Sequence, residues 1–142
     1  MKRMIVLMLA LVLALMPFAT SHAEESTIAL NDLYSVKYVD LTRLSAVLGI
    51  SGKTASCSGT AKTMVSTDTI KMTMYLQKQT STGWSSVASW STQGKRLVTL
   101  DKSKSGLSAG TYRVRIYITV YDANGTFVES ANAYSKLKVI SK

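Results

Sequence analysis

Residues 110–121 read Gly110-Thr111-Tyr112-Arg113-Val114-Arg115-Ile116-Tyr117-Ile118-Thr119-Val120-Tyr121, and their alternation decides the fold. Tyr112, Val114, Ile116, Ile118 and Val120 share one parity; Arg113, Arg115, Tyr117, Thr119 and Tyr121 share the other. Successive side chains of a strand point to opposite faces, so this run describes a half-buried antiparallel strand, long enough to sit centrally in a sheet. On its C-terminal side, Asp122-Ala123-Asn124-Gly125 carries the Asn-Gly hairpin signal, because glycine accepts the positive φ of such a turn. A last strand then runs from 126 to about 140. If Leu137 and Val139 set its phase, Ala131 and Ala133 face inward, but a bulge beside the turn would shift that register.

The N-terminal side repeats the pattern. Ile70, Met72, Met74 and Leu76 alternate with Lys71, Thr73, Tyr75 and Gln77, a second half-buried strand. Residues 83–90 read as a shorter strand or edge and 97–100 as another, ending in the polar stretch 101–106. Leu44, Ala46, Leu48 and Ile50 open the series. Ala55, Cys57, Gly59 and Ala61 follow, and their small size lets a facing sheet approach closely. About seven strands with turn chemistry between them predict an all-β, antiparallel sandwich.

The first 23 residues have a different logic. Lys2 and Arg3 precede an apolar run over 4–16, and a polar exit ends in Ser21-His22-Ala23, the three-part pattern of a secretory signal cleaved after Ala23. A membrane span needs roughly 20 apolar residues, more than this run supplies. The expected organisation is a signal peptide at 1–23, an N-terminal leader at 24–43 and a sandwich domain at 44–142. The leader carries Ile28, Leu30, Leu33, Tyr34 and Val36 without a clean period. It reads as a loosely held segment, with a short helix or an extra strand as alternatives. No lipid-attachment cysteine follows the cleavage site and residues 138–142 offer no sorting motif, so the expected location is extracellular or loosely associated with the cell envelope.

The chain of 142 residues carries 17 basic and 8 acidic side chains, for a net charge of +9. From Lys53 onward the cations face only Asp68, Asp101, Asp122 and Glu129, so the folded body is the basic part. Such a surface attracts anionic partners, and cell-wall polymers, acidic glycans, nucleic acid and anionic lipid are the classes it fits. Lysines also keep β-proteins soluble and blunt their sheet edges, a plainer account of the same charge.

Leu107-Ser108-Ala109-Gly110-Thr111-Tyr112-Arg113-Val114 resembles the immunoglobulin-like corner Asp-x-Gly-x-Tyr-x-Cys. Gly110 and Tyr112 are kept, Ser108 replaces the acid and Val114 replaces the second cysteine; Cys57 lies where the first would be. The resemblance implies that Cys57 and Val114 are apolar core neighbours and that the Tyr112 hydroxyl bonds back to the corner backbone. No tryptophan occupies the third strand, where Met72 and Met74 stand, so it extends to an immunoglobulin-like or fibronectin-like topology and not to descent. The mature chain also resembles small secreted domains of unknown function from Gram-positive gut bacteria, through Gly52, Ala55, Cys57 and Gly59, through Trp84, Val87 and Trp90, and through Gly110, Tyr112, Arg113 and Val114. That resemblance implies no activity.

The single histidine, His22, leaves with the signal, so the mature chain holds no imidazole for a nucleophile–base pair or a metal site. The four acids of the body have no spacing that sets two across a cleft. A non-enzyme without cofactor or metal is expected. Cys57 is the only cysteine and shares the inward parity of Ala55 and Gly59, which makes it an inert core thiol and not a reactive one.

The candidate binding face is the outward parity of the third and sixth strands: Lys71, Tyr75, Arg113, Arg115, Tyr117 and Tyr121. Cations for anionic groups stand there beside rings on which sugars can stack. Tyrosine also has ordinary strand propensity, which accounts for it without a ligand. Trp84 and Trp90, six residues apart, are expected on one face as an edge contact. The function these residues predict is a secreted, non-catalytic module contacting an anionic cell-wall polymer, a glycan or another protein, with no specific nucleic-acid target. The alternative is an assembly subunit that associates through its sheet edges.

Overall fold

The two segments with the cleanest alternation lie side by side in the computed structural model, which describes residues 38–142. They are β3 (Thr69–Thr80) and β6 (Gly110–Tyr121), paired antiparallel from Thr69↔Tyr121 to Lys78↔Tyr112. Around them run β1 (Leu41–Ser51), β2 (Thr54–Thr63), β4 (Gly83–Lys95), β5 (Leu97–Lys104), β7 (Phe127–Tyr134) and β8 (Lys138–Ile140). The signal and the leader up to residue 37 lie outside the described residues.

β1, β2 and β5 form one sheet in that order; β4, β3, β6 and β7 form the other, and β8 also pairs with β6. All pairings are antiparallel. This is the predicted all-β, antiparallel sandwich, with its fourth strand on the larger sheet and eight strands because the last predicted one is divided. The centre of the larger sheet goes to β3 and β6 because their inward residues are all apolar: Ile70, Met72, Met74, Leu76, Tyr112, Val114, Ile116, Ile118 and Val120 are each buried. The smaller sheet answers with Ala55, Cys57 and Ala61 from β2 and Val98 and Leu100 from β5.

The small residues of β2 do what their size predicts. A Cβ on Gly59 would collide with the Ile116 Cδ1 atom and come to 3.3 Å of the Met72 sulfur, so side chains of the larger sheet rest directly on the β2 backbone there. Cys57 and Val114 belong to the same buried cluster. Tyr112 is buried as well, and its hydroxyl donates to the Ser108 carbonyl at 2.7 Å.

Several boundaries differ from the sequence expectation. β1 starts at Leu41 and takes in residues assigned to the leader, because a buried carboxylate holds the chain there. Glu129 points inward from β7, and its carboxylate accepts the backbone N–H groups of Val39 (3.2 Å), Asp40 (2.9 Å) and Leu41 (2.7 Å). β4 runs to Lys95 and β5 to Lys104, beyond the expected 90 and 100. Both are exposed on much of their length, so no buried face imposed an alternation to read. Arg96 alone separates them, with φ at 63°, passing the chain from one sheet to the other.

The last strand is corrected most. The hairpin does form, but as a longer loop in which Gly125 N–H bonds Asp122 O (3.0 Å), Asp122 N–H bonds Thr126 O (2.9 Å), and the Asp122 carboxylate accepts from Asn124 and Thr126. Val120 faces Glu129 while Tyr121 faces Phe127, so Val128 is the extra residue of a bulge. Ala131 is then buried and Ala133 half-buried. Leu137 and Val139, however, are 55% and 67% exposed: the strand breaks at Ser135 and resumes as β8 with Ile140 inward.

Candidate functional site

The outer face of the larger sheet is a grid whose rows follow from the register. Tyr121 stands beside Phe127 and Thr69; Lys71 beside Thr119 and Gln93; Tyr117 beside Thr73 and Asn132; Tyr75 and Tyr134 flank Arg115; Arg113 stands beside Gln77. All six residues of the predicted face are therefore on one surface, because β3 and β6 are neighbours in matched phase.

Their cations rest on rings. The Lys71 ammonium lies 4.8 Å from the Tyr121 centroid, and the Arg115 guanidinium 5.6 Å from that of Tyr75. Arg113 lies 4.0 Å from Trp84 and 4.5 Å from Tyr134. Tyr121 meets Phe127 edge to face at 6.1 Å. Each arginine is also oriented by an amide: Arg113 Nε donates to the Oε1 of buried Gln77 at 2.9 Å, and Arg115 Nε to Asn132 Oδ1 at 3.0 Å. Tyr117 is the aromatic residue of the predicted set that has no cation over its ring among the described residues. Beside it Lys71, Thr73, Ser91 and Gln93 line a shallow depression of about 380 Å³.

No carboxylate stands on this face among the described residues. Glu129 and Asp68 are buried, Asp40 stands at the entry to β1, Asp122 caps its own turn, and Asp101 lies on the smaller sheet beside Ser58. Uncompensated cations, held by rings and amides in place of acids, remain free to pair with an incoming anion.

The two tryptophans do not share a face. Met74 pairs with Trp90 and Leu76 with Ala88, but Gln77 pairs with Ser86, so Val87 is an additional residue that reverses the parity of the strand. Trp90 therefore packs toward the core, and Trp84 turns outward onto Arg113. Tyr134, Gln77 and Asn132 complete the site and were not singled out from sequence. Tyr134 was hidden by the bulge at Val128, and Gln77 and Asn132 look like routine polar positions on strands.

Cys57 is 2% exposed, and burial pushes its thiol up to about 11, well away from thiolate chemistry at neutral pH. Asp68 is buried with its Oδ2 atom unpartnered; burial, with the nearby charges of Asp40, Asp122 and Glu129, raises its carboxyl above the ordinary range. Among the described residues no group of three acidic, histidine or cysteine side chains is arranged to hold a metal ion, and no helix is long and apolar enough to cross a membrane. No protein-family model matches the chain, and no curated protein sequence matches it.

Proposed function

We propose that this protein is a secreted, non-catalytic binding module that contacts cell-envelope polymers or host glycans through the outer face of its larger sheet. The observation that carries the reading is the joining of Lys71, Arg113 and Arg115 to Tyr75, Tyr121, Trp84 and Tyr134 on a surface with no acid among them. Contiguous surfaces of aromatic and basic residues mark interaction sites more often than scattered ones do. Export is supported by the signal-like pattern of residues 1–23, and a non-catalytic role by a mature body without histidine. Retention on isolated cell walls and on glycan arrays, wild type against Arg113→Glu/Arg115→Glu, tests it. A drop of tenfold or more is expected; equal retention of the two proteins overturns the reading.

Assembly through sheet edges is a second reading, favoured by the exposure of Leu137 and Val139 beside the three-residue strand β8. Light scattering on a size-exclusion column decides it. A strict monomer at high concentration removes self-assembly.

A further inference from the structure

The chemistry of the ligand can be narrowed from how the face holds its cations. We propose that the face takes a linear polyol-phosphate chain, with Arg113 and Arg115 each reading one phosphodiester. This inference rests on the binding reading above and deepens it.

The rings of this face are largely engaged. Trp84, Tyr134, Tyr75 and Tyr121 each have a cation set against them, at 4.0, 4.5, 5.6 and 4.8 Å. A ring with one side taken in this way serves mainly to fix the cation, and has less surface to offer the CH face of a sugar. A polymer whose recognition depends on stacking several pyranose rings therefore finds, among the described residues, two rings without a cation: Tyr117, flanked by the small or polar Thr73 and Asn132, and Phe127 at the end of the sheet, set edge to face against Tyr121. A flexible chain with no rings loses nothing by this.

The guanidiniums, in contrast, are prepared. Guanidinium is a planar fork of five donors, and the Nε donor of each is already spent, on Gln77 at 2.9 Å and on Asn132 at 3.0 Å. What each presents is its Nη edge, the pair of parallel donors that grips two oxygens of one phosphate. Gln77 shares the outward parity of Tyr75 yet is only 7% exposed, so its amide is held beneath the side chains of the face, and the fork of Arg113 is fixed with it. Among the described residues no carboxylate competes for either edge.

The spacing agrees. Arg113 and Arg115 are two residues apart on β6, so their backbones are separated by roughly 6.6 Å. Successive phosphorus atoms across a three-carbon polyol are six bonds apart, about 7 Å in an extended chain at ordinary bond lengths. One phosphodiester per arginine follows without stretching either partner. Lys71 continues the track, opposite Thr119, and Lys95 opposite Thr69 extends it to the end of the sheet, with Tyr117 in the row between. A polyuronate, by comparison, puts a sugar ring between its charges and asks for the platforms the cations occupy.

The experiment measures binding of synthetic oligo(glycerol phosphate) by calorimetry, with polygalacturonate of equal charge and neutral dextran beside it. Arg113→Lys and Arg115→Lys keep the charge and lose the fork; thermal melts establish that each variant is folded. The expected result is preference for the polyol phosphate, a tenfold or greater loss in each lysine variant, and a steep salt dependence whose slope rises by about one for each phosphate neutralised. Lysine variants that bind as wild type does, or polygalacturonate bound as tightly as the phosphate chain, overturn the inference. Wall retention that depends on Arg113 and Arg115 while oligo(glycerol phosphate) fails to bind leaves the functional reading standing and removes this one. Retention indifferent to charge reversal removes the functional reading itself.

Discussion

The sandwich has two solvent faces over one core, and they are built from different chemistry. The outer face of β1, β2 and β5 carries mostly short side chains in matched rows, Ser45, Thr60 and Thr99; Val47, Ser58 and Asp101; Gly49, Ser56 and Ser103, with the longer Arg43, Lys62 and Leu97 in one row at the end. Among the described residues it carries no aromatic ring. The outer face of β4, β3, β6 and β7 carries Trp84, Tyr75, Tyr117, Tyr121, Phe127 and Tyr134 among its cations. Strand propensity and solubility act on both sheets alike, and the smaller sheet satisfies them with serine and threonine. The rings of the larger sheet, with the cations seated on them, are thus beyond what folding asks, which is the physical argument for assigning them a ligand.

Four measurements break or sharpen this contrast. The largest effect is expected from Gly59→Val, which puts a branched side chain against Ile116 and Met72 where the sheets touch. A loss of about 3 kcal/mol in chemical denaturation is expected from such overpacking, and a neutral result would mean the two faces do not share one tight core. Next is charge reversal carried out on each face in turn. Arg113→Glu/Arg115→Glu should weaken wall retention at least tenfold, about 1.4 kcal/mol, whereas Arg43→Glu/Lys62→Glu on the outer face of the smaller sheet changes net charge equally and should leave retention unchanged. Equal losses from both pairs would reduce the contrast to net charge alone.

The third concerns the buried acid at one end of the sandwich. Because the Asp68 carboxyl is raised by burial and then by Asp40, Asp122 and Glu129, the folded state binds its proton more tightly than the unfolded chain does. Its contribution to stability is complete below the ordinary carboxyl range and is lost as pH rises through the raised value. Asp68→Asn should therefore stabilise the protein at neutral pH, on the order of 1 kcal/mol, and flatten the acid side of the melting-temperature profile. An unchanged profile would show that Asp68 titrates normally. The smallest effect is expected at the crossing between sheets: Arg96→Gly relieves the positive φ and should raise stability by about 0.5 kcal/mol in the same denaturation assay.

How much of this was legible depended on burial. β3 and β6 could be read residue by residue because a core on one side forces the period of two. β4 could not, since its long exposed edge imposes no pattern and Val87 reverses its parity midway. The last strand was obscured by Val128 and by the break at Ser135, where Val114 N–H bonds the serine hydroxyl and Ser135 N–H bonds the Val114 carbonyl, holding the chain against β6 through the interruption. The site followed the same rule. Its six residues on two well-patterned strands were placed by parity, and Tyr134 on the bulged strand was not. Gln77 and Asn132 act by accepting hydrogen bonds from arginines on the neighbouring strand, a relation that no spacing in one strand encodes.

The grip of Glu129 on Val39, Asp40 and Leu41 has a mechanical consequence. The carboxylate sits on a strand of the larger sheet and holds the chain as it begins a strand of the smaller one, so a single side chain staples the two layers where the polypeptide comes in. Tension applied at Tyr38 is met by these three charge-assisted bonds together with the bond from Met64 N–H to the Asp40 carbonyl (2.7 Å), ahead of the paired rungs of β1 and β2. Load entering through that end of the described residues is thereby shared between both sheets at once.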